Sequence, residues 1–211
     1  ISVNCWKENK YRERLQEYIE RHNPDVLLLM EVTKGLKREC ADIFRRFPYT
    51  MSHYVRDGFE IWLLSKNEMQ ETEIYTLGQK DTPLLFCKIA LKGRTYRVFS
   101  AHPPPAINKE YAAARESYFE AVQTVVGKEK GAAIMLGDFN SVPWEPHFRA
   151  FLQESGMKST MESCGFRITW PRYFLPAGIP MDHILISEDM SDYSVHVGPN
   201  VGSDHYPVGL R

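Results

Sequence analysis

Apolar residues recur along this chain in two rhythms, one of period two and one near 3.6. Ile1 to Cys5 reads as a short strand. Tyr11, Leu15, Tyr18, Ile19 and His22 then fall on one face of a helix that Asn23-Pro24 ends. Val26 to Met30 is an unbroken apolar run, the pattern of a strand covered on both faces, and it delivers Glu31 at its C-terminal end. Leu36, Cys40, Ile43, Phe44 and Phe47 predict a second helix, followed by strands at Tyr49 to Val55 and Phe59 to Ser65. Leu84 to Leu91 and Arg94 to Ala101 flank Lys92-Gly93 as a hairpin whose second arm runs into His102. Asn108 can cap a helix reaching Val126, Ala132 to Leu136 makes a buried strand ending at Gly137-Asp138, and Phe148 to Leu152 marks a shorter helix. Three strands close the chain: His183 to Ser187, Tyr193 to Val197 and Tyr206 to Leu210.

No repeat or low-complexity tract interrupts these elements, and 211 residues with 43% apolar content suit one domain over 1–211 with a substantial core. The longest apolar run, Val26 to Met30, falls far short of the roughly 20 residues that cross a bilayer. Because Ile1 already lies in a strand-like run, we expect truncation at the N-terminus, an upstream tag, signal or membrane anchor having been removed, which leaves localisation open with an extracytoplasmic catalytic domain as one reading. The formal charge of -1 excludes a global positive field of the kind that draws nucleic acid non-specifically, while leaving room for a local basic groove. Cys5, Cys40, Cys87 and Cys164 are scattered without a C-x-x-C pair, which excludes a zinc ribbon; buried free thiols are expected, with one or two bridges left open.

The chemistry lies at the strand ends. Asn4, Glu31, His102, Asp138 with Asn140, and Asp204 with His205 all sit where strands finish or just beyond, and Asp182 stands ahead of another strand. Carboxylates and amide oxygens are the ligands of hard cations, and carboxylates gathered without one repel each other. Pro103, Pro104 and Pro105 hold His102 in extended backbone, and Gly137 and Pro143 bracket the turn that carries Asp138.

Six segments in order carry a resemblance: Asn4 closing the first strand, Leu27 to Glu31, Ser100 to His102, Gly137 to Asn140, Met181 to Leu185, and Gly202 to Val208. The chain resembles the exonuclease, endonuclease and phosphatase superfamily, which contains pancreatic-type deoxyribonucleases, apurinic endonucleases, sphingomyelinases and inositol phosphatases. The resemblance implies an α+β fold, a deoxyribonuclease I-like four-layer α/β/β/α sandwich of two mixed sheets. It also implies a magnesium or manganese ion held by Glu31, with Asn4 nearby and Asp204 contributing. Asp138 and Asn140 would handle the attacking water, His205 paired with Asp182 would be the rival base, and His102 would donate to a phosphate oxygen or the leaving group. Residue types alone leave the base open between Asp138 and His205.

Plainer readings apply elsewhere. His183 points to the opposite face from Asp182 if the strand has begun there and is read as structural; His22, His53, His147 and His196 are not promoted. Lys34, Lys37, Arg38 and Arg45 read as a solvated face. Trp170, Arg172, Tyr173 and Phe174 could equally contact substrate or cap the core. The His-Pro-Pro-Pro run and the lack of an acid after Asn4 depart from apurinic endonucleases and lean toward deoxyribonuclease, sphingomyelinase and bacterial envelope-associated branches. The expected activity is a metal-dependent phosphodiesterase acting on nucleic acid, with a lipid or isoprenoid phosphate hydrolase as the alternative. A non-catalytic phosphate-binding module is the reading from another class, and no protein partner is implied.

Overall fold

The computed structural model describes residues 1–211 apart from 56, 129, 166 and 174–177; the side chains of residues 163 and 164 also lie outside the description. The first half of the chain runs β1 (Ser2–Asn4), α1 (Arg12–His22), β2 (Val26–Val32), α2 (Lys34–Glu39), α3 (Ala41–Arg45), β3 (Tyr49–His53), β4 (Glu60–Ser65), β5 (Met69–Leu77) and β6 (Thr82–Leu91). The second half runs β7 (Arg94–Ala101), α4 (Lys109–Val126), β8 (Ala133–Asp138), α5 (Pro146–Ser155), β9 (Met157–Ser159), α6 (Met161–Cys164), β10 (Asp182–Ser187), β11 (Val195–Val197) and β12 (Val208–Leu210). Two mixed sheets result, ordered β11-β12-β1-β2-β4-β3 and β5-β6-β7-β8-β10-β9. In each, one parallel pair, β1 with β2 and β7 with β8, sits among antiparallel neighbours.

Side-chain alternation explains the layers. In β2, Leu28 and Met30 face the second sheet and meet Leu85, Val98, Leu136 and Ile184, while Leu27 and Leu29 face Leu15 and Ile19 of α1 and Ile43 of α3. On the far side, Phe99, Ala133 and Met135 pack under Tyr118, Phe119 and Val122 of α4 and Phe148 and Phe151 of α5. The result is helix, sheet, sheet, helix. The continuous apolar run of β2 is thus the signature of a strand buried on both faces.

One close approach sets the position of the site. A Cβ on Gly137 would lie 1.8 Å from the Ala101 carbonyl oxygen, so only glycine lets β7 and β8 pair at this register. Ala101 opposite Gly137 and Asp182 opposite Asp138 then bring His102, Asp138 and Asp182 to one sheet end.

The hairpin at Lys92-Gly93 forms as expected, with Leu91 opposite Arg94. The single second helix does not: the chain breaks at Cys40, whose φ of -109° leaves the helical region, giving α2 and α3. Strands β5 and β9 and the short α6 were not anticipated. β5 is exposed along most of its length, so no apolar alternation marks it. Cys5, Cys40 and Cys87 are buried free thiols, and Cys164 lies outside the described side chains.

Asn108 caps α4 as its sequence position suggested, its Oδ1 accepting the Tyr111 N–H at 2.9 Å. Replacing it with alanine should lower the unfolding free energy by about 1 kcal/mol in urea titrations, and Asn108→Ser should retain most of it.

Candidate active site

Asp138 ends β8 almost fully buried, and its two carboxylate oxygens have different surroundings. Oδ1 accepts the Asn140 backbone N–H at 2.9 Å, closing a tight turn. Oδ2 accepts the Asn4 side-chain amide at 3.1 Å and stands 3.7 Å from Nε2 of both His102 and His205. Those two separations exceed hydrogen-bond length, so two imidazole nitrogens and a carboxylate oxygen flank a space open to a small polar group.

Asn4 links this carboxylate to the next. Its amide nitrogen also donates to Glu31 Oε1 at 3.1 Å, while its oxygen accepts the Trp6 backbone N–H at 3.0 Å. That backbone donor fixes the amide orientation, so the atom Asn4 turns to the site is a donor. Glu31 sits at a bulge in the β2–β4 pairing with φ of 55°, a left-handed conformation costing a residue with a Cβ about 1 kcal/mol. Its other oxygen accepts the Lys7 N–H at 3.2 Å.

His205 and Asp182 form the tightest contact, with Nδ1 to Oδ2 at 2.7 Å. Thr169 Oγ1 accepts the N–H groups of Met181 and Asp182 at 2.8 and 3.0 Å and fixes the start of β10. Burial opposes charge on His205, but the carboxylates of Asp182, Asp138 and Asp204 together raise its pKa. With Nδ1 bonded to Asp182, Nε2 is the ring nitrogen that faces Asp138.

Asp204 is tied from both ends. Trp170 Nε1 donates to its Oδ2 at 3.1 Å, and the Arg172 N–H donates to its carbonyl at 2.8 Å. Ser203 Oγ donates to the Asn4 carbonyl at 2.7 Å, stitching this loop to β1. Asp204 Oδ1 is buried with no partner, and burial, aided by nearby Glu31, raises the pKa of its carboxyl. An orphaned carboxylate oxygen beside a second carboxylate suits a hard divalent cation. Among the described residues, Asp138, Asp182 and His205 also bring ligand atoms within 4.8 Å of one another, a grouping able to hold a metal ion.

All eight residues singled out from the sequence therefore come together, and His102, Asp138, Asn140, Glu31, Asp204 and His205 line one cleft of ≈ 680 Å³. Its walls include Phe59, Pro104, Ile107 and Trp170. Thr169, Ser203 and Arg115 were not found from the sequence, because their roles exist only in tertiary contacts. In the Trp170 segment, Trp170 lines the cleft, while Arg172 braces the Asp204 loop with Nε on the Ser203 carbonyl at 2.6 Å. Tyr173 is exposed, and Phe174 lies outside the described residues. Arg38 and Arg45 pair with Glu39 and Asp42 on an exposed face, whereas Lys37 departs from that reading and reaches the buried Glu60 carboxylate of β4.

The model of the Endonuclease/Exonuclease/phosphatase family matches residues 1–205. The chain belongs to that family. No curated protein sequence matches it. Among solved structures, D. rerio TDP2 complexed with single-strand DNA product has 16% identity and a TM-score of 0.77, covering 99% of this chain and 95% of that one. Staphylococcus aureus beta toxin, as a double mutant with bound magnesium ions, has 17% identity and a TM-score of 0.75 over 99% and 97%. SmcL has 17% identity and a TM-score of 0.75 over 99% and 96%. Likeness at this identity establishes the fold, the deoxyribonuclease I-like sandwich of this family.

His183 faces away from the cleft, wedged against Phe139 and Phe148 with Nε2 2.9 Å from the Ser141 carbonyl. Burial lowers its pKa from 6.5 to about 4, so the folded protein holds it neutral. Between those values the unfolded chain binds the extra proton. Its stabilising contribution is therefore full above about pH 6.5 and falls, by roughly 3 kcal/mol in all, as pH drops toward 4. Urea unfolding of His183→Gln should show a shallower loss of stability over that window than the parent.

Proposed function

We propose that the chain hydrolyses a phosphodiester with water, using magnesium or manganese. The observation that carries this reading is the Asp138 carboxylate, with His102 and His205 Nε2 each 3.7 Å from one oxygen, beside Glu31 and an Asp204 oxygen that has no partner. Glu31 and Asp204 would hold the cation, with Asn4 keeping Glu31 and Asp138 in place through its amide. When bound, the ion neutralises charge on the phosphoryl oxygens and eases departure of the leaving alkoxide.

The chain's own residues divide the remaining work. Asp138 Oδ2 orients the attacking water and accepts its proton. His205, bonded through Nδ1 to Asp182, would donate from Nε2 to a phosphoryl oxygen, with Asp138, which stands between the two imidazoles, as the base. His102 supplies a second Nε2 donor for another phosphoryl oxygen or the leaving group. Asn140 holds the Asp138 turn through its backbone and reaches Pro103 with its side chain.

Nucleic acid is the first substrate class to test, since a structurally similar protein, D. rerio TDP2, is complexed with a single-strand DNA product. A lipid or isoprenoid phosphate is the second, supported by the formal charge of -1 and the apolar cleft walls.

A chromogenic diester and the matching monoester, each with magnesium, manganese or chelator, test the reaction. We expect chelator-sensitive cleavage, a loss of about 10²- to 10⁴-fold in kcat for Asp138→Asn with unchanged circular dichroism, and a higher metal requirement for Glu31→Gln. Turnover that ignores the chelator, or full turnover by Asp138→Asn, refutes the proposal.

A further inference from the structure

We infer that Arg115 is a positioning residue for this chemistry, through which α4 sets the turn presenting Asp138 and holds the segment carrying His102. The inference rests on the roles given above to Asp138 and His102. Arg115 is almost wholly buried on α4, and its Nε has no partner, so the guanidinium acts through its two terminal nitrogens. One donates to the Asn140 carbonyl and the other to the Glu145 carboxylate. Glu145 in turn accepts the Ser141 hydroxyl at 2.5 Å. Arg115 and Glu145 together therefore grip two consecutive residues of the loop that follows β8.

The gripped residue is unusual. Asn140 has φ of 49°, left-handed backbone that a residue with a Cβ keeps only when its surroundings impose it. In that conformation its N–H reaches Asp138 Oδ1 at 2.9 Å and its side-chain amide reaches the Pro103 carbonyl at 2.9 Å. One residue thus orients the carboxylate of β8 and the backbone immediately after His102, and Arg115 holds its carbonyl. Without the guanidinium that part-buried carbonyl loses its donor, and both links can relax together. Glu31 lies in β2 and Asp204 in the loop before β12, both on the side of the other sheet, so their response to metal should be spared.

Arg115→Ala and Arg115→Lys, assayed on the chromogenic diester, separate positioning from general damage. Arg115→Ala should lose about 10²-fold in kcat, as expected for a catalytic group displaced by about 1 Å, with KM and the magnesium concentration for half-maximal rate nearly unchanged. Added guanidinium should restore a good part of that rate in Arg115→Ala but none in Asp138→Asn, and Arg115→Lys should fall between parent and alanine. Wild-type kcat in Arg115→Ala overturns the inference, as does a loss that guanidinium leaves untouched while the metal response declines in parallel. If Arg115→Ala does not fold, Arg115→Lys decides: it keeps a charge but not the two-armed grip, so parental kcat in it is also contrary. Nitrogen NMR of the imidazoles provides a readout that needs no turnover. The His102 signals should shift in the Arg115 variants and move back with guanidinium. A parent inactive on every ester refutes the proposed function alone, whereas unmoved His102 signals refute the positioning role.

Discussion

Mutual repulsion among the carboxylates of Glu31, Asp138, Asp182 and Asp204 is the constraint around which the rest of this molecule is organised. Each comes from a different strand end or loop, and Asp138 and Asp182 are almost entirely withdrawn from water. Buried like charges raise each other's pKa and oppose folding unless donors or cations answer them. The chain answers with the Asn4 amide between Glu31 and Asp138, the imidazole of His205 against Asp182, and the Trp170 indole on Asp204. Among the described residues, Asp182 Oδ1 and Asp204 Oδ1 are left buried without a protein donor. Under the function proposed above, accumulated negative charge of this kind would hold the cation to which an anionic ester is brought.

Backbone geometry carries part of the same load. Glu31 and Asn140 both occupy left-handed conformations, one at a strand bulge and one in a turn, and both present polar groups to the cleft. Such positions persist where packing and hydrogen bonds over-determine them, and here the determinants are the β2–β4 pairing and the grip on Asn140. The glycine at 137 plays the complementary part, letting two strands approach so closely that His102 and Asp138 become neighbours.

Much of this was legible in the sequence, for identifiable reasons. The two-sided apolar run of β2, the Lys92-Gly93 turn and the Asn108 cap are local signals, and each formed as written. Local rules also explain what was missed. β5 is stabilised by its ladder to β6 while most of its side chains face water, so its register lies in its partner and not in its own pattern. The helical spacing across Cys40 is genuine, yet the backbone turns there, and periodicity alone does not record a bend. At the site, polar residues at strand ends announced themselves, whereas Thr169 and Arg115 look in sequence like ordinary residues of a loop and a helix. Their meaning depends on partners 13 and 25 positions away.

The placement of β12 bears on when the site can exist. This last strand pairs with the first, Val208 opposite Ser2, and the loop before it, carrying Asp204 and His205, is fastened to Asn4 across 199 positions of chain. Contacts so distant in sequence form late in folding, because a large closure entropy must be met first. During synthesis, Glu31, His102 and Asp138 emerge early, yet the constellation they belong to stays incomplete until the segment carrying Asp204 and His205 leaves the ribosome and docks. A product clipped before residue 204 would lack part of the cleft even if both sheets had begun to pack.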